Sequence, residues 1–275
     1  FTTHGVGDRY IVVFPRVELI GARHPRRPDD SVAVFDRTDR TWRTIPTGSP
    51  STGVFGIDGK LYVTNVHHKT VSVIDPTTWE VESTVDVGHR TWPTGAVSIG
   101  PKGIAVSPDG RTLVTADYEG LSITVMKLDE FGMRSIDTID VDGTPKSVTF
   151  SPDGAELWTT SYDLNVSREQ IQDKTDAMPA EGTWYDGPRP GDEAWNAYRK
   201  TTTRVFSTST WTEVGQVRTP HAAISPIVTP DRPDSVFVTT SAGSVYSLDR
   251  PTRAISGEVS PGRIGLPVIC GDVAF

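Results

Sequence analysis

Cysteine is almost absent from this sequence, and long apolar runs and an excess of basic residues are missing altogether. The single cysteine, Cys270, has no second cysteine to pair with, so no internal disulfide stabilises the fold. No run approaches the roughly 18 apolar residues that cross a bilayer, which predicts a soluble protein. The 27 basic and 35 acidic residues give a formal net charge of -8, so we expect neither nucleic acid nor a membrane surface as a partner.

A targeting segment is also missing from the sequence. The chain begins with Phe1 and not with methionine, as a processed or trimmed N-terminus would. The sequence therefore leaves the compartment open, and it leaves the oligomeric state open as well.

Glycine and proline, in contrast, are abundant. The chain has 25 glycines and 21 prolines among many Thr, Val, Ser and Asp residues. That composition favours short strands joined by tight turns over long helices. With 275 residues the chain is long enough to bury a substantial core, as one large all-β domain or as two smaller domains.

One phrase, an aspartate-containing turn followed by a β-rich run, occurs five times along the chain. The copies are "GDRYIVV" at Asp8, "DGKLYVT" at Asp58, "DGRTLVT" at Asp109, "DGAELWT" at Asp153 and "PDSVFVT" at Asp234. These aspartates are separated by 50, 51, 44 and 81 residues, so one interval is abnormal and contains an insertion.

Each copy of the phrase is flanked by further strand-like runs. An apolar run such as "GIAVSPDG" or "SVTFSPDG" includes the turn, and a second strand pair such as "TVSVIDPTTWEVESTV" follows. Each unit therefore carries four strands, and four strands in a period of roughly 40 to 50 residues are typical of a β-propeller blade.

The phrases "LYVTN", "VSVID", "GIAVSPDG" and "VDVG" resemble the YVTN family of β-propeller repeats. The resemblance covers nearly the whole chain outside residues 163 to 203. The resemblance implies a β-propeller fold. It implies little about function, because this fold hosts many activities. Members of the family usually have more than five blades, so the five copies of the phrase in this chain depart from the family pattern.

The termini predict how the ring closes. "PVICGDVAF" at the C-terminus reads as a first strand without its hairpin, and residues 1–15 read as a second strand without a predecessor. We therefore expect a single all-β domain over residues 1–275, a five-bladed β-propeller of four-stranded antiparallel blades closed by the C-terminal strand joining the N-terminal blade. Residues 163–203 are expected to form an insertion on one rim.

The strand order predicts which loops share a face of the propeller. The connections between strands 2 and 3 of a blade, and between strand 4 and the next strand 1, lie on the same rim. Five of the six histidines fall on this rim, which we call the histidine rim: His24, His67, His68, His89 and His221. The opposite rim carries ordinary turn sequences such as "SPDG" and "DPTT". Because functional residues concentrate on loops over a rigid scaffold, we predict a site on the histidine rim.

The tryptophans fall into two groups. Trp42, Trp79 and Trp211 recur after the turn between strands 3 and 4 and are predicted to pack on the far rim or outer edge, whereas Trp158 lies in a second strand and is predicted to be in the core. The other aromatic residues lie outside the repeat and are predicted to cover a pocket mouth: Trp92, Trp184, Tyr185, Trp195 and Tyr198. A lid that packs on its own aromatic cluster is the alternative for this second group.

Several catalytic chemistries can be weighed against these residues. Glycoside hydrolysis needs two carboxylates across a cleft, and the inner runs hold only Asp272. Nucleophilic catalysis lacks a G-x-S-x-G elbow, and Cys270 lies in an apolar run. A metal-dependent enzyme stays an alternative, with His67, His89 and His221 as ligands, because imidazole binds zinc, copper, iron and nickel.

Acid/base chemistry on a small organic ligand fits the remaining residues best, since imidazole titrates near neutrality and Tyr or a carboxylic acid can return a proton. We predict a cofactor-free enzyme that carries out a cyclisation, condensation, isomerisation or elimination in the central pocket. The predicted catalytic residues are His67, His68, His89, His221, Tyr118, Glu119, Tyr162 and Asp163. The predicted substrate-binding residues are His24, Arg90, Trp92, Trp184, Tyr185, Trp195 and Tyr198. A non-catalytic propeller that binds a ligand or a protein is the alternative.

Overall fold

The computed structural model describes residues 2–6, 10–14, 31–87, 100–118, 120–162, 201–240, 243–259, 269–270 and 273–274. Strands dominate these ranges, as the glycine, proline and β-branched content predicts. Within these ranges there is no helix of the length and apolar character that a membrane span requires.

Five four-stranded antiparallel sheets follow one another along the described ranges. The first contains β1 (Thr2–Val6), β2 (Tyr10–Phe14), β3 (Ser31–Asp36) and β4 (Thr41–Pro46). The second contains β5 (Pro50–Phe55), β6 (Leu61–Asn65), β7 (Thr70–Asp75) and β8 (Glu80–Asp86). The third contains β9 (Pro101–Val106), β10 (Thr112–Asp117), β11 (Ser122–Asp129) and β12 (Gly132–Asp140).

The last two full sheets repeat the same order. The fourth contains β13 (Thr144–Phe150), β14 (Glu156–Tyr162), β15 (Thr201–Ser207) and β16 (Glu213–Val217). The fifth contains β17 (Ala223–Val228), β18 (Ser235–Thr240), β19 (Val245–Asp249) and β20 (Ile255–Val259). A short hairpin of β21 (Ile269–Cys270) and β22 (Val273–Ala274) follows.

The hydrophobic core is divided among the spaces between successive sheets. In the second sheet, Leu61 and Val63 of β6 pack on the first sheet while Tyr62 packs on the third. The same arrangement recurs between the third and fourth sheets and between the fourth and fifth. The outer strands, such as β8 and β12, are mostly exposed. Sheets therefore stack face to face in chain order.

The first strands of the sheets lie side by side. β5 contacts β1 and β9, and β13 contacts β9 and β17. Face-to-face stacking of four-stranded sheets with their first strands together is the arrangement of propeller blades, so the fold is propeller-like.

The prediction that the C-terminal strand forms the innermost strand of the first sheet is wrong. The first sheet has its own first strand, β1, which pairs with β2 from Thr2 opposite Phe14 to Val6 opposite Tyr10. The C-terminal β21 pairs with β22. The sequence "TTHGV" was missed because its glycine and polar residues give no β-typical alternation, whereas backbone pairing with "YIVVF" does not depend on it.

The "SPDG" turns on the opposite rim form as predicted. The Ser107 hydroxyl donates to Asp109 at 2.6 Å and accepts from the Thr112 N–H at 2.9 Å. Ser151 and Asp153 repeat this pattern in the fourth sheet. The glycine of each turn has a φ of +70°, which glycine adopts without strain.

The structural role predicted for these four tryptophans agrees with where their side chains lie. Trp158 and Trp79 are buried, and Trp211 packs partly buried against the core. Trp42 is 61% exposed, with its ring 4.9 Å from that of Phe35. Trp42 is more exposed than Trp79 and Trp211 because the left-handed turn position that those two residues hold is occupied in the first sheet by Arg40.

Candidate functional site

The histidine pair lies in the turn between β6 and β7, as the repeat predicts. The imidazole of His68 is exposed, whereas His67 is half-buried. The buried hydroxyl of Ser49 accepts the His67 backbone N–H at 2.7 Å, and it lies 3.3 Å from Nδ1 of His68. Ser49 thus fixes both the backbone of the turn and the orientation of one imidazole.

This Ser–His contact is structural in character. A nucleophilic serine has to reach its substrate, whereas Ser49 is 2% exposed. Its oxygen also accepts the His67 N–H and therefore helps to hold the turn. The contact directs Nδ1 of His68 towards the protein, and the ring as a whole stays at the surface.

A β-bulge interrupts the first strand of four sheets close to the histidine rim. The register between the first two strands shifts between Pro50 and Gly53, Pro101 and Gly103, Pro145 and Ser147, and Ala223 and Ser225. Bulges re-aim side chains and are frequent beside functional sites. In this protein they recur at one level around the inner strands.

Two of these bulges carry lysine at equivalent positions. Lys102 follows Pro101 in β9 and Lys146 follows Pro145 in β13, and both side chains are half-buried. The two strands approach closely here, because a Cβ added to Gly103 would lie 2.8 Å from the Lys146 carbonyl oxygen. Glycine is therefore required at this point, and it allows two lysine-bearing strands to lie together.

Tyr118, a predicted catalytic residue, lies beside the first of these lysines. It directly follows β10 and donates its backbone N–H to the Gly100 carbonyl at 3.2 Å. The Lys102 ammonium nitrogen lies 3.8 Å from the centre of the Tyr118 ring. This cation–π contact orients the lysine towards the end of the second strand, on the histidine rim.

The carboxyl group of Asp117 is buried next to Tyr118. It accepts a hydrogen bond from the Thr115 hydroxyl at 2.9 Å and others from Ser122 and Thr124. Burial raises the pKa of Asp117 to about 6, although these hydroxyl contacts oppose the effect. The hydroxyl contacts join β10 to β11 and fix the position at which Tyr118 leaves the sheet.

Asp117 has a neutral counterpart in the second sheet. Asn65 ends β6 as Asp117 ends β10, and its amide donates to Thr70 at 2.9 Å and to Ser72 at 2.8 Å. The two side chains therefore perform the same bridging role between strands 2 and 3. Of these two sheets, only the third has a carboxyl group at this position.

His221 lies in the connection between the fourth and fifth sheets and is exposed. Its ring centre is 6.4 Å from that of the buried Tyr246, at an interplanar angle of 40°. This distance is within the range of aromatic pairs, so His221 covers the edge of the fifth sheet.

The structure thus gives three predicted residues different neighbours: His68 contacts Ser49, Tyr118 contacts Lys102 and His221 contacts Tyr246. Tyr162 is the last residue of β14. The other predicted site residues lie outside the described residues: His24, His89, Arg90, Trp92, Glu119, Asp163, Trp184, Tyr185, Trp195 and Tyr198. Their roles stay predictions.

A metal centre is not formed by the described residues, among which no group of three or more His, Cys, Asp and Glu side chains could hold an ion. His89 lies outside this part of the chain, so the predicted ligand set of His67, His89 and His221 stays a prediction.

The sequence-based search missed Lys102, Lys146 and Ser49. A signal for the lysines was present, because "PKG" and "PKS" precede the equivalent apolar runs "IAV" and "VTF". Ser49 gave no signal, since its partner lies 18 residues further along the chain.

Fold and site together define an all-β, propeller-like protein with a lysine- and tyrosine-lined inner edge on its histidine rim. In solved structures 1647 chains match, so the fold alone does not narrow the function. One is Kuenenia stuttgartiensis hydrazine synthase, with 18% identity and a TM-score of 0.54 over 76% of this chain and 48% of that chain. This chain therefore spans about half the length of that one, and the likeness shows the fold alone.

No family model matches the chain, and no curated protein matches its sequence. The resemblance to the YVTN repeat family therefore stays a prediction based on the quoted phrases.

Proposed function

We propose that this chain is a five-bladed β-propeller that binds a small organic anion at the opening of its axis on the histidine rim. The observation that supports this most strongly is the pair of half-buried lysines, Lys102 and Lys146, on neighbouring inner strands. Tyr118, under the Lys102 ammonium group, adds an aromatic surface beside the charge.

The local charge contrasts with that of the whole molecule. A protein with a net charge of -8 repels anions at long range, so an anion site has to come from a local arrangement. Two half-buried lysines on neighbouring strands would supply such an arrangement, because hydrogen bonds to charged groups are stronger than those between neutral groups and charges are less screened away from bulk water. A carboxylate or phosphate on a compact organic body is the ligand class that fits.

The closed five-bladed ring is part of this proposal. It is supported by five consecutive four-stranded sheets that stack in chain order and by first strands that contact one another from β1 to β17. In such a ring the bulges of β5, β9, β13 and β17 would surround one opening.

Acid/base catalysis on the bound anion is a second proposed function. The observation that favours it is the exposed imidazole of His68, which Ser49 orients through Nδ1. An imidazole oriented in this way would act as the general base towards a ligand held by the lysines. Tyr118 would be the nearby phenol in this reaction, and a binder without catalysis would retain the lysines alone.

Replacement of the two lysines tests the proposed binding site. Isothermal titration calorimetry would compare phthalate, an aromatic dianion, with its neutral diamide on the native chain and on the K102Q, K146Q and double variants. We expect phthalate to bind, the diamide to bind much more weakly, and each replacement to weaken phthalate binding at least about tenfold, because one charge-assisted hydrogen bond is worth roughly 1.5–3 kcal/mol.

The matched control is K127Q. Lys127 lies on β11 with a half-exposed side chain and contacts Asp129 at 3.4 Å, so its loss removes one charge away from the proposed opening. If K127Q weakens phthalate binding as much as K102Q or K146Q does, the effect comes from the overall charge of the protein and not from the proposed site. Undiminished phthalate binding by the double variant, or no binding of phthalate to the native chain at millimolar concentration, would overturn the proposal.

A further inference from the structure

A cavity lies at the other end of the inner strands, on the opposite rim. Its volume is about 400 Å³, which is within the range of roughly 300–1,000 Å³ found for small-molecule sites. It is lined by the last residues of four inner strands, among them Val54, Val106, Val148, Thr149, Phe150 and Val228. The cavity therefore lies where β5, β9, β13 and β17 end.

The repeated sequence determines which residues line this cavity. Three inner strands end in the same kind of triplet, an apolar residue followed by Ser or Thr and then Pro: residues 106–108, 150–152 and 228–230. The apolar residue and the proline of each triplet line the cavity. Three sheets thus contribute equivalent apolar walls.

Several lining side chains remain in contact with water. Val54, Val106, Thr149 and Val228 are half-buried, whereas the middle-strand residues Leu61 and Leu113 are fully buried. Apolar surface at a concave wall gains free energy when a ligand removes it from water, in proportion to the area covered. The cavity therefore favours an apolar occupant.

The residues that line the cavity also disfavour a charged ligand. Among the lining residues in the described part of the chain none is charged, and the polar side chains are those of Thr149 and Ser151. The Ser151 hydroxyl already donates to Asp153 at 2.6 Å. A charged ligand would lose its hydration here without gaining an ionic partner, whereas a neutral ligand with one polar group would not.

We propose that this cavity is a second binding site, which takes an uncharged, largely apolar small molecule such as a compact aromatic alcohol. The site differs in ligand class from the lysine-lined opening at the other end of the same strands. It stands on the cavity and its walls and does not depend on the proposed anion site.

Methyl NMR with two matched probes tests this site. On the chain labelled at Ile, Leu and Val methyl groups, 2-naphthol is expected to shift the Val54, Val106 and Val228 resonances, and naphthalene-2-sulfonate is expected to shift them much less. The K102Q/K146Q double variant should bind 2-naphthol as the native chain does. Shifts confined to other methyl groups, or equal binding of both probes in this cavity, would overturn the proposal.

A pair of valine replacements separates this cavity from general surface binding. V228D places a carboxylate at the half-buried wall and should weaken 2-naphthol binding at least about tenfold, because the ligand would then desolvate a charge. V214D makes the same change on the outer strand β16, where Val214 is 51% exposed, and should leave binding unchanged. Equal loss in both variants would contradict the assignment.

A partner's side chain is the competing occupant. N-acetyl-tryptophanamide presents such a side chain without charge and can be titrated in the same spectra. Tighter binding of this probe than of 2-naphthol at the Val54, Val106 and Val228 methyl groups would assign the cavity to a protein partner and overturn the small-molecule proposal. Weaker binding would support it.

Discussion

At the scale of single residues, the buried carboxyl group of Asp117 differs most from its counterparts in the repeat. The second sheet performs the same strand-bridging role with the neutral Asn65. Keeping a carboxylate where an amide would suffice costs stability at neutral pH, since burial disfavours the charged form. The charge is therefore a feature of the third sheet that packing alone does not require.

Replacing Asp117 by asparagine should stabilise the protein at high pH. Burial raises the pKa of Asp117 to about 6, so the folded protein binds a proton that the unfolded chain releases near its ordinary pKa of about 3.9. The contribution of Asp117 to the free energy of unfolding is therefore largest below pH 4 and is lost as the pH rises through 6. D117N should be more stable at pH 8 by on the order of 1–3 kcal/mol, with the difference closing towards pH 4.

Urea denaturation between pH 4 and pH 8 measures this difference. The control is D137N, because Asp137 is exposed on β12 and its replacement removes a carboxyl group that the fold does not bury. A D117N variant that is less stable than the native chain at pH 8 would mean that the hydroxyl contacts require an anionic acceptor.

Residue chemistry also explains which local features were predictable. The "SPDG" turns could be predicted because serine, aspartate and glycine each meet a requirement of the turn within four residues. The histidine turn could be located, whereas its anchor Ser49 could not, because the contact joins residues from separate parts of the repeat.

At the scale of elements, the fourth and fifth sheets are joined on the opposite rim by an ionic cluster. Arg250, in the turn between β19 and β20, binds Glu156 through Nε at 2.6 Å and Asp153 at 2.7 Å. Arg253 binds the other oxygen of Glu156, and its guanidinium carbon lies 5.1 Å from the Trp158 ring centre. Glu156 thus joins two arginines of the next sheet to its own strand.

Loss of the Glu156 charge should weaken this junction. Burial raises the pKa of Glu156, but hydrogen bonds from Arg253 and Arg250 outweigh burial and hold the pKa below its ordinary value. A lowered pKa contributes stability that is present above the ordinary value of about 4.3 and is lost as the pH falls through it and below. E156Q should therefore destabilise the chain by about 1–3 kcal/mol at pH 7 and by less at pH 3.

Thermal unfolding at both pH values checks this expectation. E80Q is the matched control, since Glu80 is exposed at the start of β8. A loss of stability in E156Q that is the same at pH 3 and pH 7 would show that shape, and not charge, makes the residue important. Because D117N is expected to show the opposite dependence on pH, the two variants also distinguish local electrostatics from a general effect of pH.

The bulges are the element-scale feature that the sequence did not reveal. A bulge is a mismatch of register between two strands, so it depends on the partner as well as on the local sequence. "PKGIAV" and "TPKSVTF" read as ordinary strands with one lysine each. Only the pairing of β9 with β10 and of β13 with β14 shows that both lysines lie at a break in register.

At the scale of the whole molecule, the repeat predicted the five sheets well, because a period of four strands repeats the same hydrophobic pattern in every copy. The first strand of the N-terminal sheet was the exception. Its position next to β2 is determined by backbone pairing along Thr2–Val6, which leaves little trace in side-chain hydrophobicity. The order of the sheets followed from sequence, and the way in which the first sheet is completed did not.

The whole molecule also separates two kinds of surface along its inner strands. The inner strands carry lysine towards the histidine rim, where Tyr118 lies beside Lys102, and valine, phenylalanine and proline line their other ends. Because every inner strand runs from one rim to the other, the repeat places equivalent residues at one level. Both proposed sites therefore use equivalent positions of neighbouring sheets and need no long-range sequence motif.

The central claim is that Lys102 and Lys146 together hold an organic anion at the histidine rim. The most direct test is a crystal structure of the chain soaked in 4-iodobenzoate, with the iodine located by its anomalous scattering. We expect a peak at the opening beside β9 and β13, with the carboxylate within hydrogen-bonding distance of the ammonium groups of both lysines. Iodine found only at other sites, with both lysines directed away from the bound anions, would contradict the account.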